Sequence, residues 1–137
     1  MAPRFLAGVV VLVIAAAALG AVGGYAVAQR KANEREVQRA DLLNATRAAE
    51  FGSRLTMLRL LREAKLSSEK MESAEISAIV LLGTIPLSDV TDASTSHVVL
   101  QRAAQTLATY IHDFPKSQFA DSRHSEVAQL LALGRPR

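Results

Sequence analysis

The chain begins with apolar positions that no charge interrupts. FLAGVVVLVIAAAALGAVGGYAVA, Phe5 to Ala28, is 24 residues without a charged side chain. As a helix it would extend about 36 Å at roughly 1.5 Å per residue, against a hydrocarbon core about 30 Å thick. At YAVAQRKANER, residues 25–35, the pattern changes, and a charge then recurs every two or three positions. Beyond it the 3.6-residue period predicts helices and no strand. The first runs from about Ala32 to Leu66, with Val37, Ala40, Leu43, Ala48, Phe51, Leu55, Leu58 and Leu61 near one face and Gly52 as a candidate bend. The second follows Ser67-Ser68, has Glu69 in its first turn, turns Met71, Ala78, Ile79 and Leu82 inward, and ends at Gly83 and Pro86.

PLSDVTDASTSH, residues 86–97, reads as an exposed polar loop in which Ser94 to Ser96 offer a cap. The third helix is Val98 to His112, with Val99, Ala103, Leu107, Tyr110 and Phe114 at helical spacing and Pro115 as its stop. The fourth starts after Pro115-Lys116-Ser117, is capped by Ser117, turns Phe119, Val127, Leu130 and Leu131 inward, and ends with Gly134 in the left-handed conformation. The expected fold is all-α, an N-terminal transmembrane helix followed by a small helical-hairpin domain of about four helices. Residues 1–28 form the anchor, 29–66 a long amphipathic juxtamembrane helix, and 67–137 the hairpins.

The anchor has a competing reading as a cleaved signal peptide. Gly23-Gly24 could break the helix, and Ala26-Val27-Ala28 then meets the small-residue rule for cleavage after Ala28. Length favours retention, because a signal's apolar region runs to only about 7–15 residues. Tyr25 at the interface and Arg30-Lys31 in the head groups fit a membrane exit. Ala16, Gly20, Gly24 and Ala28 recur every four residues, a candidate helix-packing face for a homodimer in the membrane. Orientation has opposed indicators. Arg30, Lys31, Arg35 and Arg39 follow the span and Arg4 alone precedes it, which keeps the domain in the cytoplasm; the signal-like layout points to export.

Composition narrows the chemistry. With 4% aromatic residues and no Trp, the core of this 137-residue chain rests on Leu, Ile, Val and Ala. The absence of Cys excludes disulfides, thiolate sites, cysteine nucleophiles and a lipoprotein anchor. The net charge of +3 is uneven, with 9 basic and 5 acidic residues over Gln29–Lys65 and 6 against 8 over Leu66–Arg137. Interleaved Glu and Asp argue against nucleic acid; a basic segment beside a membrane suits anionic head groups. His97, His112 and His124 stand at no ligand spacing, so neither a metal nor a cofactor is expected. DSRHS, Asp121 to Ser125, holds Asp, Ser and His within one helical turn, where the side chains diverge and no triad can converge. No phosphate loop or nucleophile elbow occurs, and an enzyme is not expected.

Leu107 to Leu131 resembles the second helix of one tetratricopeptide-like unit and the first helix of the next, as in bacterial envelope proteins. Phe114, Pro115, Ser117, Phe119, Ala120 and Asp121 carry the likeness; Arg123 stands where a small residue is usual, and the 34-residue period is not repeated upstream. The resemblance implies a helical hairpin and protein binding. The layout of a glycine-rich anchor, LRLLRE (Leu58 to Glu63) and Phe114-Pro115 is also similar to small single-span bacterial membrane proteins of uncharacterised role. The expectation is a single-pass protein of the bacterial inner membrane whose partners are the lipid bilayer and another protein. Ser88, Asp89, Asp92, Ser94, Phe114 and Phe119 are the candidate partner surface. The alternative is a homo-oligomeric structural membrane protein that associates through its anchor and the Ala48–Leu58 seam.

Overall fold

A computed structural model describes residues 2–136, with side chains from residue 21 onward. Among them the fold is all-helical. Helix α1 is Ala2–Glu63, α2 is Ser68–Gly83, α3 is Thr95–Asp113 and α4 is Ser125–Leu133, with 3₁₀ turns at Leu87–Asp89 and Gln118–Ala120. The chain divides into two compact units, one ending at Arg39 and one beginning at Ala40. The expected break at Gly23-Gly24 is absent, and so is one at Gly52. A single helix covers what the sequence divides into an anchor and a juxtamembrane helix. Among the described residues no helix is long and apolar enough to cross a membrane. The greater part of the charge-free run, Phe5 to Gly20, lies outside the residues whose side chains are described.

Helix α1 ends where the backbone turns left-handed at Lys65, φ 55°. Leu66 N–H then donates to Leu61 C=O at 3.1 Å and Lys65 N–H to Arg62 C=O at 3.0 Å. This is the Schellman arrangement, with a lysine where glycine is the usual occupant. Two charged residues of α1 close the ends of other helices. Asp41 accepts from Thr95 N–H at 2.8 Å and Ser96 N–H at 3.0 Å, so a carboxylate sits on the positive end of α3. Arg47 donates to Thr84 C=O at 2.9 Å, just past α2. Asp41 interrupts the apolar spacing of α1 between Ala40 and Leu43, and its partners are 54 and 55 residues away.

These bonds also set direction. Asp41 pairs with Thr95, and Arg59 forms an ion pair with Asp113, both across 54 residues. A constant offset means that α1 and α3 run parallel. The α1–α2 offset falls instead, from 37 at Arg47–Thr84 to 23 at Arg54–Ser77, so those helices are antiparallel. The core lies among them, with Phe51, Leu55, Leu82, Leu100, Leu107, Phe119 and Leu130 fully buried.

Three expectations need correction. The Ala48–Leu58 seam is not a free association surface, because Ala48, Phe51, Leu55 and Leu58 are buried in the chain's own core. Its predicted upstream members Val37 and Leu43 are 69% and 50% exposed. The last helix does not start after Ser117. Asp121 takes up the Arg123 N–H at 3.0 Å, a local bond that competes with helix formation, and α4 begins only at Ser125. Gly134 is right-handed, φ −80°, and its need for glycine comes from packing. A Cβ built there would lie 2.6 Å from Ala104 Cβ.

Gly134→Ala should therefore cost about 1–3 kcal/mol by overpacking. Lys65→Gly should add up to about 1 kcal/mol by relieving a left-handed non-glycine residue. Urea unfolding followed by circular dichroism checks both signs.

Candidate functional site

The apolar face of α2 is formed by Met71, Ala78, Ile79 and Leu82, and Glu75 falls on the same face. Glu75 is only 1% exposed. A buried carboxylate is tolerated only when paired and hydrogen-bonded, and here it is both. Its Oε1 accepts from Arg62 Nη2 at 2.5 Å, Arg62 Nε at 3.0 Å and Tyr110 Oη–H at 2.6 Å. Its Oε2 accepts from Gln118 N–H at 2.8 Å. Arg62 Nε also reaches Tyr110 Oη at 2.9 Å. One carboxylate thus joins α1, α2, α3 and the 3₁₀ turn before α4.

Aromatic rings enclose this knot. The Arg62 guanidinium carbon lies 5.0 Å from the Phe114 ring centroid and 5.9 Å from that of Tyr110. Phe119 meets Tyr110 edge-to-face at 5.4 Å and Phe51 at 6.2 Å. Burial opposes the charge on Arg62, but the bonds to Glu75 and Tyr110 outweigh it and raise the guanidinium above its usual range. Burial, reinforced by the bond to Glu75, raises the Tyr110 phenol well above its usual 10.0, with Arg62 opposing. A cleft of about 410 Å³ opens beside the knot, walled by Leu66, Met71 and Phe114 and carrying Arg62, Lys116, Glu72 and Glu75. Its two cations and two carboxylates balance. Glu75 already accepts four bonds, so its evident work is to orient four segments.

The predicted partner residues do not form one surface. Phe119 is 2% exposed and belongs to the core, where it fills the space between Tyr110 and Phe51. Phe114 is half-buried on Tyr110, ring centroids 4.9 Å apart. The 86–97 segment is largely occupied by structural bonds. Leu87 is buried, Ser94 Oγ accepts from His97 N–H at 3.2 Å, and Ser96 is buried. Ser88, Asp89 and Asp92 remain exposed, Asp92 lying 3.8 Å from His97 Nε2. Within the proposed membrane face, Ala16 and Gly20 lie outside the residues whose side chains are described. Gly24 has open space at its Cβ position, and Ala28 is exposed.

A groove does exist between the last two helices, with a different lining. It measures about 390 Å³ and is bounded by Ala104, Ala108, Ile111, Leu131, Gly134 and Pro136, with Gln105 and Arg135 at its edge. DSRHS is a turn; Asp121 grips Arg123, at 2.6 Å to Nη2, and the side-chain bond to Arg123 lowers the carboxyl to about 2. Among the described residues no group of three or more His, Asp or Glu converges as a metal site. Glu75 was missed because its acceptors' partners come from three distant segments; the visible signal was a lone carboxylate on an otherwise apolar helical face. Comparison of the chain with protein-family models, curated proteins and solved structures finds no match.

Glu75→Gln should destabilise the fold by about 3–5 kcal/mol, since it strips a partly buried guanidinium of its counter-charge. Tyr110→Phe, which loses hydrogen bonds but keeps the ring, should cost about 1–3 kcal/mol. Denaturant titration measures both.

Acid and alkali act on different groups. Asp41 is lowered from 3.8, chiefly by its bonds with Ser96, and Asp121 is lowered by Arg123 to about 2, so the contribution of each is present above the usual carboxylate range and lost as pH falls through its own lowered value. Tyr110 is raised, so its contribution is intact below about pH 10 and is lost as pH rises through the folded-state value. Melting temperature against pH should fall at both ends, and Tyr110→Phe should flatten the alkaline fall.

Proposed function

We propose that the protein is a single-span membrane protein whose helical domain binds another protein, an interaction or assembly module without an enzymatic role. The carrying observation is the continuity of α1. Its sequence contains the charge-free run Phe5–Ala28, and the same helix reaches Glu63 after supplying Phe51, Leu55 and Leu58 to the core. The reading of Ala28 as a cleavage site drew on a helix break at Gly23-Gly24 and on the small residues Ala26 and Ala28; α1 has no such break, which removes the first of the two supports. Retention of the anchor is thereby favoured, with Tyr25 at the interface. The α3–α4 groove supports partner binding: Ile111 and Leu131 are half-buried and Ala108 is exposed, so apolar surface reaches solvent. Self-association would rest on the anchor face, because the Ala48–Leu58 seam is occupied by the core.

After alkaline carbonate extraction the full-length chain should stay in the bacterial inner-membrane pellet. Recovery of a chain beginning at Gln29 in the soluble fraction would reject the anchor. A photo-crosslinker at Ala108 should give discrete adducts in intact membranes. Ala108→Glu should abolish co-purification of the adduct partner with the melting temperature unchanged. Partner retention by that variant would reject the groove.

A further inference from the structure

The first unit carries a feature that anchoring alone does not need. Lys31, Arg35 and Arg39 stand at i, i+4 and i+8 of one uninterrupted helix, and all three are exposed. Residues at that spacing share a face. Glu34 and Glu36 lie about 100° to either side of Arg35, at i+3 from Lys31 and i−3 from Arg39, so they border the stripe without pairing to it. In the second unit Arg54, Arg59, Arg62 and Arg123 each form an ion pair. No ion pair involves Lys31, Arg35 or Arg39 among the described residues. The stripe is thus a row of exposed cations without ion pairs, directly after the charge-free run, with Arg30 on the other side of the helix.

We propose that the face formed by Lys31, Arg35 and Arg39 docks on the anionic phosphate head groups of membrane lipids. The inference rests on the membrane reading above and adds the lipid class and the residues that select it. At roughly 1.5 Å per residue the three lie about 4, 10 and 16 Å beyond Ala28 along the helix. The head-group zone is about 5–8 Å deep on each side, and the screening length at physiological salt is about 8 Å. Lys31 therefore sits among head groups and Arg35 within their field. Arg39 reaches back with a long side chain, as basic residues do at membrane surfaces. Three cations with two carboxylates alongside are too sparse for a nucleic-acid track, whereas juxtamembrane basic residues act singly and additively on an anionic surface.

The chain has no cysteine, so one introduced at Asn33, on the opposite side of the helix, can carry a donor dye. The full-length protein is reconstituted in phosphatidylcholine vesicles with about 30 mol % phosphatidylserine, with an acceptor dye on the head group of one lipid or the other. Energy transfer should be about twofold greater to labelled phosphatidylserine, and the preference should vanish at about 1 M NaCl, where screening falls to about 3 Å. K31Q/R35Q/R39Q should abolish the preference while total incorporation is unchanged. Equal transfer to both lipids at low salt, or a preference that survives the triple substitution, overturns the proposal. Failure to incorporate, with no transfer to either lipid, overturns the membrane reading itself and is distinguishable from loss of lipid preference.

Discussion

A single buried carboxylate fixes how the helices of the second unit meet. Taking Glu75 out of water carries a desolvation cost of several kcal/mol, which only good geometry and complete hydrogen bonding can offset. The protein meets that requirement with donors from three places: Arg62 near the end of α1, Tyr110 in the last turns of α3, and the backbone of Gln118 in the turn leading to α4. None is close in sequence to the carboxylate, so any register in which α1, α2 and α3 slid by one turn would leave a buried charge without its partners. Leu and Ala faces tolerate such slips far better. The specificity of the packing therefore resides in the polar knot, and its bulk stability in Phe51, Leu55, Leu100, Leu107 and Leu130 around it.

The same logic operates more weakly along α1. Asp41 addresses the start of α3, Arg47 the end of α2 and Arg59 the end of α3. Helix ends carry unsatisfied N–H or C=O groups and partial charge, so a side chain of the opposite sign on a neighbouring helix marks where that end must lie. Asp41 and Arg59 are separated by the same number of residues as Thr95 and Asp113, which makes α1 a ruler for α3.

The helical class, the extent of α2 and the end of α3 were legible in the sequence, because periodicity and local capping chemistry are short-range signals; α3 starts at Thr95, three residues before the expected Val98, with Ser94 of the Ser94–Ser96 candidates as its cap. The rest depended on partners that sequence spacing does not reveal. Asp41 looked like a defect in an apolar seam, since nothing local discloses a helix end 54 residues away. The donors to Glu75 are Arg62, Tyr110 and Gln118, none of them its neighbour on α2. Residues 118–124 looked helical, but Asp121 and Arg123 close a local turn that outcompetes the helix. Phe119 was assigned both an inward position and a partner surface; only the inward one holds, because two aromatic rings enclose it.

Periodicity also cannot say where an apolar face ceases to be covered. Val37, Leu43, Phe51 and Leu58 obey one pattern, yet only the last two are buried, because α3 begins opposite Asp41 and α2 ends opposite Arg47. That limit has a functional consequence. The Phe51–Leu58 face is spent internally, so the contacts proposed above draw on surfaces of other kinds: an apolar groove between α3 and α4, and a cationic stripe in the first unit. The groove would respond to apolar area and little to salt; the stripe would respond to salt and little to shape. Ionic strength would therefore separate the two proposed contacts within the same chain.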